Sequence, residues 1–364
     1  MSILNPDLHY ALVGNRIAFS TEIKNDFDDF TLVPDTLTTI SSRKQVNPYI
    51  KIGNREFLPL MTAPMDTVVD VDNLNFFHEN KILVCLPRTQ NCYSTHEPIF
   101  PSISLNDAYT LLNEEPNTDE SYLCIDMANG HMDTLFKTVK ELADKRPDIK
   151  LIVGNIANPQ TYNLFASLDN VWGVRVGIGG GGACTTSANV AVHYPMASLI
   201  EECYRIKSSH NHNAKIIADG GMRKYSDIIK ALALGADAVM LGGIFNKCLE
   251  SCGETFMKDS ENQFCPVTMD RARMSFLAGG NVYKYYRGMS TKEVQKSWNK
   301  EVLKTGEGIS KYNKVESTLS GWCENFTDYL KSAMSYTNCR TLEEYCGEVQ
   351  WIQISDNAFK RFHK

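Results

Sequence analysis

Short apolar runs of strand length recur along this chain, with amphipathic stretches between them. That alternation limits the fold more than any other feature of the sequence. The runs cover residues 58–63, 82–87, a weakly marked piece near 99–104, then 121–126, 150–154, 171–177, 215–219 and 237–242. Helical patterns separate most of them, over 132–144, 198–207 and 225–234. Strands apolar on both faces that alternate with helices pack as parallel β/α units. Eight candidate strands predict an α/β protein, a closed (β/α)8 TIM barrel. An open doubly wound sheet is the alternative, because the third strand is poorly marked. Polar, turn-rich residues 1–57 predict an irregular N-terminal segment with short strands. Beyond the barrel, 244–281 reads as polar and irregular, 283–291 as a strand running into a turn, 316–335 as a helix and 349–354 as a last short strand. The whole of 1–364 reads as one barrel domain. Its core lies at about 58–255, and 256–364 supplies flap-like elements and a C-terminal extension.

Residues 174–186, Val-Arg-Val-Gly-Ile-Gly-Gly-Gly-Gly-Ala-Cys-Thr-Thr, begin as a buried strand and break into glycine. Glycine lets backbone approach a ligand closely. Cys184 at the loop exit is a candidate nucleophile, and the hydroxyls of Thr185 and Thr186 are candidate proton handlers. Gly177, Gly179 and Gly182 also fit a dinucleotide fingerprint. That motif wants a helix directly after it and an acidic strand end about 20 residues on. Here Pro195 interrupts, and Glu201 and Glu202 fall in helical pattern. A buried, inert thiol is the other plain reading.

In a barrel, chemistry gathers at the C-terminal strand ends, and phosphate binds in the loops after strands seven and eight. Those loops begin Asp219-Gly220-Gly221 and Leu241-Gly242-Gly243, glycine pairs able to open helices towards an anion. Asp219, itself anionic, suits sugar hydroxyls instead. With Cys184 after strand six, three special loops fall on adjacent strands at one face. Glu307 reads by residue type alone as a solvated carboxylate, and His131 as exposed. Arg287 fits a phosphate contact and a surface ion pair equally well.

The formal net charge of −6, with no long basic run, gives nucleic-acid or membrane-surface binding no support. The first residues lack a signal-peptide pattern, and no stretch approaches the roughly 20 apolar residues of a membrane span. The odd count of 11 cysteines points to free thiols in a reducing, cytoplasmic setting. Cys248 and Cys252 find no partner pair to complete a zinc set.

Ala63-Pro-Met-Asp-Thr67, Gly177-Ile-Gly-Gly-Gly-Gly-Ala-Cys-Thr-Thr186, Ala218-Asp-Gly-Gly221, Val239-Met-Leu-Gly-Gly243 and Tyr286-Arg-Gly-Met-Ser290 resemble the family of inosine monophosphate dehydrogenases and guanosine monophosphate (GMP) reductases. The resemblance covers most of the chain from Asp26 to Phe362 and implies a (β/α)8 barrel. The dehydrogenases carry an Arg-Tyr pair in a mobile flap and usually a regulatory insert after the second strand. This chain shows neither, and Asp126-Met-Ala-Asn-Gly130 and the run from Leu330 to Tyr336 are similar to the reductase branch.

The implied reaction is NADPH-dependent reductive deamination of GMP to inosine monophosphate and ammonia, through a covalent Cys184 thioimidate. By position, Thr186 and Glu307 match the pair handling the departing amine. Asp219, Gly220, Gly221, Gly242, Gly243, Gly288, Met289 and Ser290 match the nucleotide site. Asp126, Ala128, Ser332 and Ser335 match positions near the cofactor, and Ser42, Arg43 and Arg88 match further ones. Gly179, Gly181 and Cys184 match carbonyls that hold a monovalent cation, usually potassium (K+). The family also implies a homotetramer with part of the cofactor site supplied by a neighbour. Three alternatives stay open: a dehydrogenase lacking the insert, a reductase for a deoxy or modified guanine nucleotide, and a barrel that has lost catalysis. The chain departs from the pattern at Gly180 and Gly182, which imply a looser loop. It also departs at Lys304 in place of Arg, at Pro87-Arg-Thr-Gln90, and in a longer stretch over 256–281.

Overall fold

The structure, a computed structural model, describes residues 22–88, 90, 98–117, 119–291, 294 and 305–362. The readings of the extreme N-terminus, of Thr89 and of Lys304 lie outside the described residues. The N-terminal segment contributes strand β1 (Phe30–Leu32) and a hairpin of β2 (Ile50–Ile52) and β3 (Arg55–Phe57). Eight parallel strands follow: β4 (Leu60–Thr62), β5 (Val84–Leu86), β6 (Ile99–Ile103), β7 (Ser121–Asp126), β8 (Ile149–Ile156), β9 (Val171–Val176), β10 (Lys215–Asp219) and β11 (Ala238–Leu241). Their spatial order is β4-β11-β10-β9-β8-β7-β6-β5. A parallel bridge between Met61 and Leu83 joins β4 to β5, with Thr62 N donating to Leu83 O at 2.9 Å. The ring is therefore a (β/α)8 barrel and not an open sheet, and the weakly marked third strand is a full member.

Each strand places one side towards the barrel axis and the other towards the helices. Met61, Cys85, Phe100, Cys124, Ile152, Ile217 and Met240 form one buried interior cluster, which Phe57 of the hairpin joins. The barrel is thus filled by side chains. Strand β9 adds only the partly buried Trp172 against this cluster; beyond it Gly173 gives way to Ile217, and Arg175 follows towards the functional end. The outer helices bury one stripe each. Helix Asp133–Lys145, for example, buries Leu135, Thr138, Val139 and Leu142, the spacing of one helical face.

Residues 244–281, expected to be irregular, are largely ordered. They hold a short helix (Gly243–Asn246), strands β12 (Thr255–Lys258) and β13 (Phe264–Pro266), and helix Met269–Leu277. With β14 (Tyr283–Arg287) and β15 (Ser310–Lys314) these strands build a four-stranded antiparallel sheet, β13-β12-β14-β15. The expectation failed because the strands within this stretch are only four and three residues long, too short to show a period against their polar surroundings. The C-terminal part forms helix Leu319–Tyr336 and strand β16 (Trp351–Gln353), which pairs with β1.

One sheet residue carries a measurable penalty. Lys284 is buried, donates from Nζ to Ser251 O at 2.7 Å, and burial pushes its pKa down to about 8. Cys252, Glu250 and Asp70 pull the other way. Between about pH 8 and the lysine's ordinary value the unfolded chain binds the extra proton, so stability rises with pH there. Lys284→Met should therefore raise the melting temperature most at pH 7, with the gap over wild type narrowing by pH 10. A gap that stays constant in calorimetry would show that the charge is not the cost.

Candidate active site

Strands β9, β10 and β11 are neighbours in register, so the loops after Val176, Asp219 and Leu241 emerge side by side. The glycine loop is tied down, contrary to the looser loop expected from Gly180 and Gly182. Gly179 O accepts from Ser187 Oγ at 3.0 Å, Gly180 O from Gly221 N at 2.8 Å, Gly181 O from Cys184 N at 2.9 Å, and Gly182 O from Lys311 Nζ at 3.1 Å. A Cβ on Gly180 would sit 2.9 Å from Gly221 N, and Gly220 has φ +94°, so both need glycine for the loops to touch. The glycine pairs do not both open helices. After Gly221 the next helix begins at Tyr225, and the helix at Gly243 has only four residues. What the pairs offer is exposed backbone that a ligand can approach closely.

Cys184 is held between this loop and the segment after Glu307. Cys184 bridges Gly308, Thr185 N donates to Glu307 O at 3.0 Å, and Ile309 N donates to Ala183 O at 3.0 Å. The Cys184 thiol donates to Thr186 Oγ1 at 3.3 Å, and Thr186 Oγ1 donates to Glu307 Oε2 at 2.5 Å. A thiol, a hydroxyl and a carboxylate so linked can pass a proton in either direction. Of the two threonines, Thr186 is in this chain; the Thr185 hydroxyl is buried with no partner among the described residues.

Two cavities meet at the sulfur. One, of about 660 Å³, is lined by Gly180–Gly182, Gly220, Gly221, Gly242 and Gly243 together with Asp219 and Cys184. The other, of about 210 Å³, is lined by Arg88, Asp126, Ala128, Gly288, Met289, Ser290 and Glu307, and again by Cys184 and Asp219. Gly288, Met289 and Ser290, assigned by resemblance to the nucleotide, thus face the smaller cavity. Tyr286, which sequence reasoning did not single out, lines both; burial raises its pKa, keeping the phenol neutral.

Charged groups line the smaller cavity beside Cys184. The Arg175 guanidinium is buried and lies 2.6 Å from Asp126 Oδ1 and 2.7 Å from Asp219 Oδ2. Burial works against its charge, but Asp219 and then Asp126 outweigh that and keep it protonated. Asn155 Nδ2 donates to Asp219 Oδ2 at 2.7 Å, and Arg88 Nε lies 3.4 Å from Asp126 Oδ2. Sequence reasoning missed Arg175 and Asn155. The usable signal was a lone arginine inside an apolar strand, which must find carboxylates to be buried at all.

The remaining cofactor positions form a separate group. Ser42 caps the 3-10 turn Arg43–Gln45, and Arg43 Nη1 donates to Ser332 Oγ at 3.3 Å. Ser335 lies on the same helix as Ser332, with its hydroxyl on Lys331 O at 2.7 Å. None of these four lines either cavity. Arg287 pairs with Asp66, Nη2 to Oδ2 at 2.5 Å, the acidic neighbour that the ion-pair reading calls for. His131 is exposed, and its ring joins Thr161 Oγ1 at 3.0 Å and accepts from Ala157 N at 2.9 Å, fastening two loops. All ten described cysteines are free. Among the described residues, no helix is long and apolar enough to cross a membrane.

The family model for the IMP dehydrogenase / GMP reductase domain matches residues 112–364. A GMP reductase of Phytophthora infestans is 26% identical over 94% of this chain and 94% of its own length. A GMP reductase of Lactobacillus gasseri is 30% identical over 87% of this chain and 91% of its own. An inosine-5'-monophosphate dehydrogenase of Cryptosporidium parvum is 31% identical over 66% of this chain and 56% of its own.

Proposed function

The chain belongs to the IMP dehydrogenase / GMP reductase family, and from that premise we propose that this oxidoreductase converts GMP to inosine monophosphate and ammonia at the expense of NADPH. The observation that carries the reading is the Cys184–Thr186–Glu307 chain at the junction of the two cavities.

In this reading the nucleotide fills the larger cavity, with its phosphate against the glycine backbone of Gly220, Gly221, Gly242 and Gly243 and its ribose on Asp219. Cys184 attacks C2 of the guanine as a thiolate. The S–C2 bond forms, the C2–N2 bond breaks, and the amine leaves as ammonia with a proton delivered through Thr186 and Glu307. A thiolate is both a strong nucleophile and a good leaving group, so the same bond can break later to free the product. When bound, a reduced nicotinamide supplies the hydride that replaces the amine at C2. The smaller cavity, with Arg88, Asp126 and Ala128, fits that ring by position. The carbonyls of Gly179, Gly181 and Cys184 are neutral hard donors of the kind that suit potassium; two of them already hold one hydrogen bond each and keep a second lone pair.

Ser42, Arg43, Ser332 and Ser335 line neither cavity; in this reading they serve the cofactor site of a neighbouring copy in a homotetramer. Arg43→Ala should then raise KM for NADPH about tenfold, as for one lost charge-assisted hydrogen bond, and leave KM for GMP unchanged. An unchanged KM for NADPH would remove this group from the cofactor site.

The deciding assay follows the absorbance of reduced nicotinamide with GMP, with and without potassium. NADPH consumed only with GMP, ammonia released in equal amount and a lower rate without potassium are the expected results. Reduction of NAD on adding inosine monophosphate, with no reaction of GMP, would make the enzyme a dehydrogenase.

A further inference from the structure

We propose that Arg175 is a positioning residue that sets the enzyme's preference for a ribose over a deoxyribose. The proposal rests on the reading of the larger cavity as a nucleotide site. Three donors converge on a single oxygen of Asp219. Arg175 Nη2 lies at 2.7 Å, Arg175 Nε at 3.2 Å and Asn155 Nδ2 at 2.7 Å, all from Oδ2. No described residue donates to Oδ1. Asp126, the other carboxylate on the same guanidinium, has Oδ1 held by Arg175 at 2.6 Å, while its Oδ2 makes only a 3.4 Å ion-pair contact with Arg88 Nε. Asp219 therefore keeps an oxygen free of described donors, and it lines both cavities.

A carboxylate with two equivalent oxygens can turn about its terminal bond. Pinning Oδ2 from three directions stops that turn and aims Oδ1 at the cavity as a fixed acceptor. A sugar hydroxyl can donate to it; a deoxy carbon cannot, and would leave Oδ1 without a donor. The guanidinium fork is what allows one side chain to reach Asp126 with one nitrogen and Asp219 with two. A lysine ammonium is a point charge and does not reproduce that geometry.

The test compares kcat/KM for GMP and 2'-deoxy-GMP, with NADPH, in wild type, Arg175→Lys and Asn155→Ala. Wild type should favour GMP by about 10–100-fold, the range of one charge-assisted hydrogen bond. Arg175→Lys should cut that ratio to about threefold or less, mainly through KM for GMP, and Asn155→Ala should fall between. A merely structural role would slow both substrates equally and leave the ratio unchanged, which would overturn the proposal. So would a wild type that does not discriminate. If thermal unfolding shows that Arg175→Lys does not fold, an unchanged ratio in Asn155→Ala overturns it instead. Should folded wild type turn over neither nucleotide, the reductase reading fails on its own. The same ratio, taken from calorimetric dissociation constants, then decides the role of Arg175.

Discussion

Cys184→Ala is expected to abolish NADPH consumption, by about 10⁴-fold or more, as when a covalent nucleophile is removed, while GMP still binds. The two halves of this expectation come from different atoms. The sulfur stands where the two cavities meet, and in the proposed reaction it is the group that bonds to the ring. In the same proposal the nucleotide's grip comes from the glycine backbone and Asp219, which the substitution does not touch. The backbone around Cys184 is also fixed by bonds that need no thiol, from Thr185 N to Glu307 O and from Ile309 N to Ala183 O. Alanine therefore fits without moving the loop. Steady-state rates and calorimetric titration with GMP check the two halves separately. A variant with near-normal turnover would rule out covalent catalysis. A variant that neither binds nor turns over would show instead that the thiol holds the loop together.

The barrel was legible because its signal is periodic and strongly apolar. Strands β7 and β10 have the bounds expected for them, and β8 runs longer, with near-continuous burial from Ile149 to Ile156. Glycine pairs and a cysteine at adjacent strand ends were visible as well, since composition breaks sharply there. What stayed hidden was contact between distant segments. Glu307 lies 121 positions from Thr186, so no local pattern could join them; only the resemblance paired them. Of the antiparallel sheet only β14 was expected, within 283–291; β12, β13 and β15 escaped for another reason. The sheet's faces are charged and aromatic, with Phe264 stacked on Tyr312 at 4.1 Å between ring centroids, and burial alternation is weak along β12, β13 and β15. Arg175 escaped because a single charge in an apolar run looks like noise until its carboxylates, from two other strands, are in place.

Glu307→Gln should slow ammonia release by about 10²–10⁴-fold, the usual weight of a positioned acid or base, and hydride transfer less. Glutamine keeps the shape and can still accept from Thr186 Oγ1, so the 2.5 Å contact survives in altered form. It cannot take up or give back a proton, and the leaving amine needs one. The carboxylate does not touch the sulfur directly; Thr186 lies between them, 3.3 Å from Sγ. Thr186→Val should therefore cause a loss of the same size, and Thr186→Ser should restore most of the rate, since it returns the hydroxyl alone. Two groups on one proton path are not additive. The double variant Thr186→Val with Glu307→Gln should be hardly slower than Thr186→Val by itself. Rapid-quench measurement of ammonia beside NADPH oxidation separates the steps. Full multiplication of the two single losses would mean that Thr186 and Glu307 act on different protons, and the relay would have to be abandoned.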